Sequence, residues 1–244
     1  MERAAITALP PELSPQAAPG TWEAALSMIA EDTRLANARV LNCGAGRGGL
    51  SKLIHDSGRE VVSVDLHPEH FVVAGLECQF ADVTKPLPYP DESFDCVLSV
   101  EVMEHLENPW FFFREAVRVL RLGGQFIFTS PNVENVPSRM NFLRQGELPY
   151  FRQESFDGCY HVTPIFSWAV DRCCSTCDAV VEEVRYSRVD WPRSNDIPRY
   201  DDGKGWRRKL LNLLPSNGRF GEIAAYRIAK IRKETRFEVG SHTG

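Results

Sequence analysis

Four glycines, Gly44, Gly46, Gly48 and Gly49, follow directly behind the apolar run Val40–Cys43 in "VLNCGAGRGGL". A turn that leaves a strand and enters a helix aims backbone N–H groups and the positive end of a helix dipole at a ligand, and glycine lets that ligand come close. The spacing fits two patterns. Gly44, Gly46 and Gly48 read as G-x-G-x-G, while Gly44, Gly46 and Gly49 read as the G-x-G-x-x-G of dinucleotide binders. Asp65 ends the next apolar run about twenty residues on, where a carboxylate can accept both hydroxyls of a ribose. Glycines and acid together point to an adenosine-type ligand of either kind; the alternative is a glycine turn that serves tight packing alone.

Two histidines and two carboxylates carry further chemistry. In "EVMEHLENP" Glu101, Glu104 and His105 stand at i, i+3 and i+4, the spacing of one helical face. An imidazole near neutrality can take the proton of a hydroxyl nucleophile, and His161 in "GCYHVTPIFSW" is a second candidate for that task. Carboxylates with one imidazole also suit Mg²⁺ or a similar ion. Against these readings, Glu104 and His105 can simply close a helix, and His161 can pin its segment through a backbone hydrogen bond. Cys174 and Cys177 form a C-x-x-C, yet the second cysteine pair of a zinc ribbon is missing, so no metal site is assigned to them.

The elements that must position these residues follow from periodicity. Residues 1–20 hold four prolines and little pattern, which predicts a mobile arm; the folded body starts near Thr21, and residues 21–244 read as one domain. Helix "TWEAALSMIAEDTRLAN" is followed by strand "ARVLNC", helix "GLSKLIHDSG", strand "EVVSVD", a helix around "HPEHFVVAGL", and strands "CQFAD" and "FDCVLSVE". A long helix "PWFFFREAVRVLRLGG", ended by Gly123 and Gly124, then precedes strand "QFIFTS". Alternation of this kind predicts an α/β fold, a doubly wound, mostly parallel sheet covered by helices. Residues 131–163 break the pattern and read as a lid or substrate insert, too long for an ordinary connection. Phe142, Tyr150, Phe151, Phe156, Tyr160, Phe166 and Trp168 cluster there, either walling a pocket or packing the lid. The helix "IFSWAVDRCCSTCDA", strand "VVEEVRYSRV", basic stretch "GWRRKLLNLL" and strand "EIAAYRIAKIRK" complete the chain.

The ordered run from "VLNCGAGRGG" through "FADV" and "EVMEHLENP" to "LRLGGQFIFTSPN" resembles the class I S-adenosylmethionine-dependent methyltransferases. It covers Arg39 to Asn132, with a weaker likeness in "FGEIAAYRIAKIRK". The resemblance implies a seven-stranded sheet with the last strand antiparallel, and S-adenosylmethionine as cofactor with S-adenosylhomocysteine as product. It places Gly44, Ala45 and Gly46 against the amino-acid part of the cofactor, and Asp65 with Leu66 at the ribose. Asp82 and Val83 would lie at the adenine, and Val100 and Glu101 beside the methionine part. Quinone-pathway O-methyltransferases are similar in the Glu101–His105 stretch, which is what implies a divalent ion there. Asn42 stands where many members carry an acid, and it reads as a support residue of the cofactor loop. Methyl transfer to a small-molecule or carrier-linked glycan hydroxyl is the expected reaction, with His161 or His105 as the base. A nicotinamide-dependent oxidoreductase and a non-catalytic binding protein of the same fold are the competing readings.

Composition narrows the partners. With 28 basic and 33 acidic residues the net charge is −5, so no overall basic field invites nucleic acid. No apolar run reaches the roughly 20 residues of a membrane-spanning helix, and the N-terminus lacks a signal-peptide pattern, which predicts a cytoplasmic protein. Seven irregularly spaced cysteines fit reduced thiols.

Overall fold

Strand β1 (Arg39–Cys43) shows why the sheet must be covered on both sides. Leu41 and Cys43 point into one apolar cluster and Val40 into another, and every one of them is fully buried. The same split repeats in β4 (Phe94–Val100), where Phe94 and Val97 face the first cluster and Cys96 and Leu98 the second. Near-continuous apolar runs of this kind belong to strands buried on both faces, as in parallel sheets packed between helix layers.

The computed structural model describes residues 2–187 and 221–232. With β2 (Glu60–Asp65), β3 (Cys78–Phe80), β5 (Leu120–Pro131), β6 (Ala179–Tyr186) and β7 (Ile223–Lys230), these strands form one sheet in the order β3-β2-β1-β4-β5-β7-β6. All neighbours pair in parallel except β7, which runs antiparallel between β5 and β6. The expected doubly wound fold with an antiparallel last strand is thus present. Helices α2 (Thr21–Glu31), α3 (Gly49–Asp56), α4 (Pro109–Val119) and α7 (Ser167–Thr176) cover the sheet. No helix among the described residues is long and apolar enough to cross a membrane.

Three local expectations are corrected. Residues 67–76 hold only a 3₁₀ turn at Pro68–His70, because Pro68 starts a turn that no buried apolar stripe extends. Helix α4 stops at Val119 rather than at the glycine pair, because Leu120, fully buried, already pairs with Phe94 in the sheet. Gly123 instead lies inside β5, where its φ of 81° suits an irregular stretch. Residues 2–20 carry helix α1 (Glu2–Thr7) and a 3₁₀ turn at Pro11–Leu13, with Ile6 and Leu13 buried. The insert is largely helical, with α5 (Val136–Gln145), a 3₁₀ turn at Pro149–Phe151 and α6 (Gln153–Cys159). The basic stretch "GWRRKLLNLL" lies outside the described residues.

The N-terminal segment is seated on the glycine turn. Arg47 Nε donates to the Glu12 carbonyl at 2.7 Å, and the bare Cα of Gly49 faces the Leu13 carbonyl and the Trp22 ring. A methyl group at Gly49 would collide with both, and one of the two contacts is unyielding backbone. Urea denaturation of Gly49→Ala is therefore expected to show a loss of about 1–3 kcal/mol, the usual cost of overpacking; an unchanged midpoint would contradict this seating.

Candidate functional site

From β1 the chain passes outward to β2 and β3, whereas β4 lies on the other side of β1 and leads to β5. Connections leaving adjacent strand ends in opposite directions open a crevice at the carboxyl edge of the sheet. A cleft of about 440 Å³ lies at this switch point. Gly44 to Leu50 form one wall, and Val100, Glu101, His105, Tyr150 and His161 stand opposite. The N-terminal segment, through Leu13, Ser14 and residues 16–18, closes a third side.

The glycine turn is held by the backbone of β2: Gly44 N–H and Ala45 N–H donate to the Val64 carbonyl at 2.9 and 3.1 Å. Gly44 has φ 76°, and the Val102 side chain occupies the place where its Cβ would stand. Gly46 has φ 52°, and a Cβ built on it would meet nothing within 4 Å, so its edge opens toward a ligand. Asn42 does not face the cleft. It is buried beneath the turn, where its Nδ2 donates to Ser51 Oγ at 2.9 Å and Ser63 Oγ donates to the same oxygen at 2.8 Å.

Asp65 ties the acid to the turn. Its Oδ2 accepts the Gly46 N–H and its Oδ1 the His67 N–H, both at 2.8 Å, and each oxygen keeps a lone pair for a further donor. Leu66 beside it is exposed, and Asp82 accepts the backbone N–H and hydroxyl of Thr84, which hold its carboxyl below the usual range. Val83 packs at the edge of the core. Asp65, Leu66, Asp82 and Val83 thus lie beyond the 440 Å³ cleft, around the ends of β2 and β3.

At the end of β4 the backbone is strained. Glu101 has φ 54°, a left-handed conformation that a non-glycine residue holds only when its surroundings compel it. Thr129, wholly buried on β5, supplies the compulsion: its Oγ accepts the Glu101 N–H at 3.0 Å and donates to Glu101 Oε1 at 2.8 Å. Burial pushes the Glu101 carboxyl up to about 7, partly offset by the Thr129 bond. The expected helical face is a 3₁₀ turn, Met103–His105, which buries Glu104 completely. Among the described residues neither Glu104 oxygen meets a partner at full hydrogen-bond geometry, the Ser130 hydroxyl being the neighbour that favours its charged form. Burial, and then the charge of Glu101, push its carboxyl far above the usual range.

The insert returns across this turn. Val162 N–H and Thr163 N–H donate to the Glu104 carbonyl, and Thr163 Oγ donates to that of Leu106. His105 and His161 then meet edge to face with ring centroids 4.9 Å apart. His105 Nδ1 lies 3.2 Å from the Tyr160 carbonyl and His161 Nδ1 2.9 Å from that of Tyr150. A carbonyl only accepts, so each ring donates from Nδ1 and turns its Nε2 elsewhere, a lone pair in the neutral form of the ring. Burial lowers the pKa of His161, and His105 adds to this, so its ring is neutral near pH 7.

The trio expected to hold Mg²⁺ does not converge as a set. Among the described residues, the donor atoms that come within 4.8 Å of one another belong to Glu104, His105 and His161. One carboxylate and two imidazoles are not the oxygen shell that Mg²⁺ favours, and no metal is assigned here. Of the insert aromatics Tyr150 reaches the cleft, whereas Phe142 and Trp168 are exposed. Tyr150 stood among the aromatics marked in the insert, whereas the N-terminal wall and Thr129 had no distinguishing mark in the chain. Proline-rich spacing hides the first, and a threonine in an apolar strand hides the last.

Comparison with known proteins matches residues 41–128 to a family described as a methyltransferase domain. The chain is 31% identical over 118 residues to a demethylmenaquinone methyltransferase of Tropheryma whipplei, covering 45% of this chain and 49% of that protein. It is 33% identical over 116 residues to a ubiquinone biosynthesis O-methyltransferase of Xanthomonas oryzae pv. oryzae, covering 44% and 48%. The chain thus spans about half the length of these curated relatives. A putative methyltransferase from Bacillus halodurans superposes with TM-score 0.59 at 18% identity, over 86% of this chain and 99% of that one, which shows the shared fold.

The raised Glu101 carboxyl has a thermodynamic consequence. Its contribution to stability is complete below about 4.5 and is lost as pH rises through about 7, because the unfolded chain gives up this proton first. Melting of the ligand-free protein in Glu101→Gln should lack this loss, which amounts to at most about 1.4 kcal/mol per pH unit for one proton. Parallel melting curves for wild type and variant from pH 5 to 7 would contradict it.

Proposed function

We propose that this chain, which belongs to the class I S-adenosylmethionine-dependent methyltransferases, methylates a hydroxyl of a small molecule. The observation that carries this reading is the cleft itself: the glycine turn and two imidazoles, His105 and His161, line one space at the switch point of the sheet. Its walls suit the cofactor in kind. The open edge at Gly46 admits the amino-acid part, and Asp65 has lone pairs left for ribose hydroxyls. Asn42 stiffens the turn from below, and Leu66, Asp82 and Val83 border the adenine side.

S-adenosylmethionine supplies a methyl group already activated on a sulfonium, so the protein's task is alignment more than bond activation. Gly44, Ala45 and Gly46 would hold the amino-acid end of the cofactor, Asp65 its ribose, and Val100 and Glu101 its methionine part. His161 or His105 accepts the hydroxyl proton at Nε2, and Tyr150 with the N-terminal segment excludes water. The name of one relative, a ubiquinone biosynthesis O-methyltransferase, favours an oxygen on a small molecule over a carrier-linked glycan. The family also takes precedence over a nicotinamide cofactor, which the glycine spacing alone allowed.

Two measurements test this. In calorimetric titration S-adenosylhomocysteine should bind saturably and NADH should not, and Asp65→Ala should weaken S-adenosylhomocysteine at least about tenfold, or 1.4 kcal/mol; no saturable binding would overturn the reading. With labelled S-adenosylmethionine and a panel of phenols, sugar alcohols and glycans, the double variant His105→Ala/His161→Ala should lose about 100-fold or more in turnover while still binding S-adenosylhomocysteine. Retained turnover would remove the histidines from the proton transfer.

A further inference from the structure

We propose that Leu13 and Arg47 are positioning residues for the cofactor: they dock residues 8–20 as a strap against the cleft, and strap docking and cofactor binding strengthen each other. This rests on the methyltransferase reading above and goes beyond it in giving the N-terminal wall a task in binding.

The strap has fixed ends and a loose middle. At one end Ile6 of α1 is buried in the same apolar cluster as Ala25, Met28 and Ile29 of α2. At the other Thr21, wholly buried, starts α2. Between them the backbone bonds largely to itself: Leu13 N–H donates to the Pro10 carbonyl, Ser14 N–H to that of Pro11, and Thr21 N–H to that of Ala18. Pro10, Pro11, Pro15 and Pro19 have no N–H to offer. Among the described residues, a single hydrogen bond ties residues 8–20 to anything other than α1 and α2, the one from Arg47 Nε to the Glu12 carbonyl at 2.7 Å.

Leu13 is the plug that this bond assists. Glu12 and Ser14 on either side are exposed, whereas Leu13 is only 6% exposed. Its carbonyl and the Trp22 ring fill the space left by the bare Cα of Gly49 at the start of α3. One buried side chain and one hydrogen bond are little to hold a segment of this length, and segments held so lightly open locally at far less cost than global unfolding.

Strap and glycine turn enclose one space. Leu13, Ser14 and residues 16–18 line the same cleft as Gly44 to Leu50, so a ligand that touches both gains its full set of contacts only when the strap is docked. Arg47 stands in the turn itself, next to Gly46, whose N–H is held by Asp65. The latch and the groups assigned to the cofactor thus share one short piece of backbone. A ligand that prefers the docked form by some factor lowers the open population by that same factor, and opening the strap weakens the ligand reciprocally.

Cleavage of the full chain by a glutamate-specific endoproteinase reads the strap directly, because Glu12–Leu13 is presented only when Leu13 leaves its place. The rate there follows the open population when opening is fast relative to cutting. In wild type this bond should be cut faster than Glu23–Ala24 inside α2, and saturating S-adenosylhomocysteine should slow it about fivefold or more. Without ligand, Leu13→Ala and Arg47→Ala should both speed the cut, which the mere loss of a ligand contact would not do. In calorimetric titration both should bind S-adenosylhomocysteine more weakly than wild type, and Leu13→Met, which keeps the volume, should match wild type in both measurements. S-adenosylhomocysteine that binds wild type without slowing the cut, or variants that open the strap yet bind as tightly as wild type, would overturn the proposal and leave the methyltransferase reading in place. Failure of S-adenosylhomocysteine to bind wild type would remove that reading, and this inference with it.

Discussion

β1 and β4 lie side by side and run the same way, paired from Val40↔Cys96 to Cys43↔Ser99. Their carboxyl ends must therefore emerge at one edge, and the sheet order sends the two following connections apart. Everything chemical depends on that constraint. It puts the glycine turn and the Glu101–His105 turn on opposite sides of one crevice, and the apolar runs of both strands, buried on two faces, make the arrangement rigid.

Rigidity matters because the crevice holds polar groups under tension. Thr129 holds Glu101 in a backbone conformation it would not choose, and Glu104 lies buried with unmet hydrogen-bonding capacity. Such costs persist only where the surrounding packing over-determines them, and they are characteristic of sites that meet a charged ligand. On the other wall, Asn42, Ser51 and Ser63 form a small neutral network under the glycine turn. A neutral amide there fits a buried site with no cation to pair an acid among its described partners.

Much of this was legible in the chain. The seven strands and the antiparallel last one are present as expected, the central strands β1 and β4 being apolar runs that the chain bounds with glycine or acid. What failed had tertiary causes. The long helix ends before Gly123 because Leu120 is claimed by the sheet, and "EVMEHLENP" forms a 3₁₀ turn because the insert's Val162 and Thr163 bind the Glu104 carbonyl. The proline-rich start looked structureless, yet Leu13 finds a buried place against the glycine turn. Of the candidate site residues, the cleft gathers Gly44, Ala45, Gly46, Val100, Glu101, His105 and His161, while Asn42 lies beneath it and Asp65, Leu66, Asp82 and Val83 beyond it. A single sequence marks residues that line the cleft better than those that hold them, since threonine on an apolar strand carries no sign of its partner.

A crystal structure with S-adenosylhomocysteine bound probes the central claim most directly. The amino-acid part is expected over Gly44–Gly46, the ribose hydroxyls within hydrogen-bond distance of Asp65, and the sulfur on the Glu101 side of the cleft, with His105 or His161 facing it across an open space. Ligand density that leaves Asp65 untouched, or a sulfur directed away from Glu101 and both imidazoles, would contradict it.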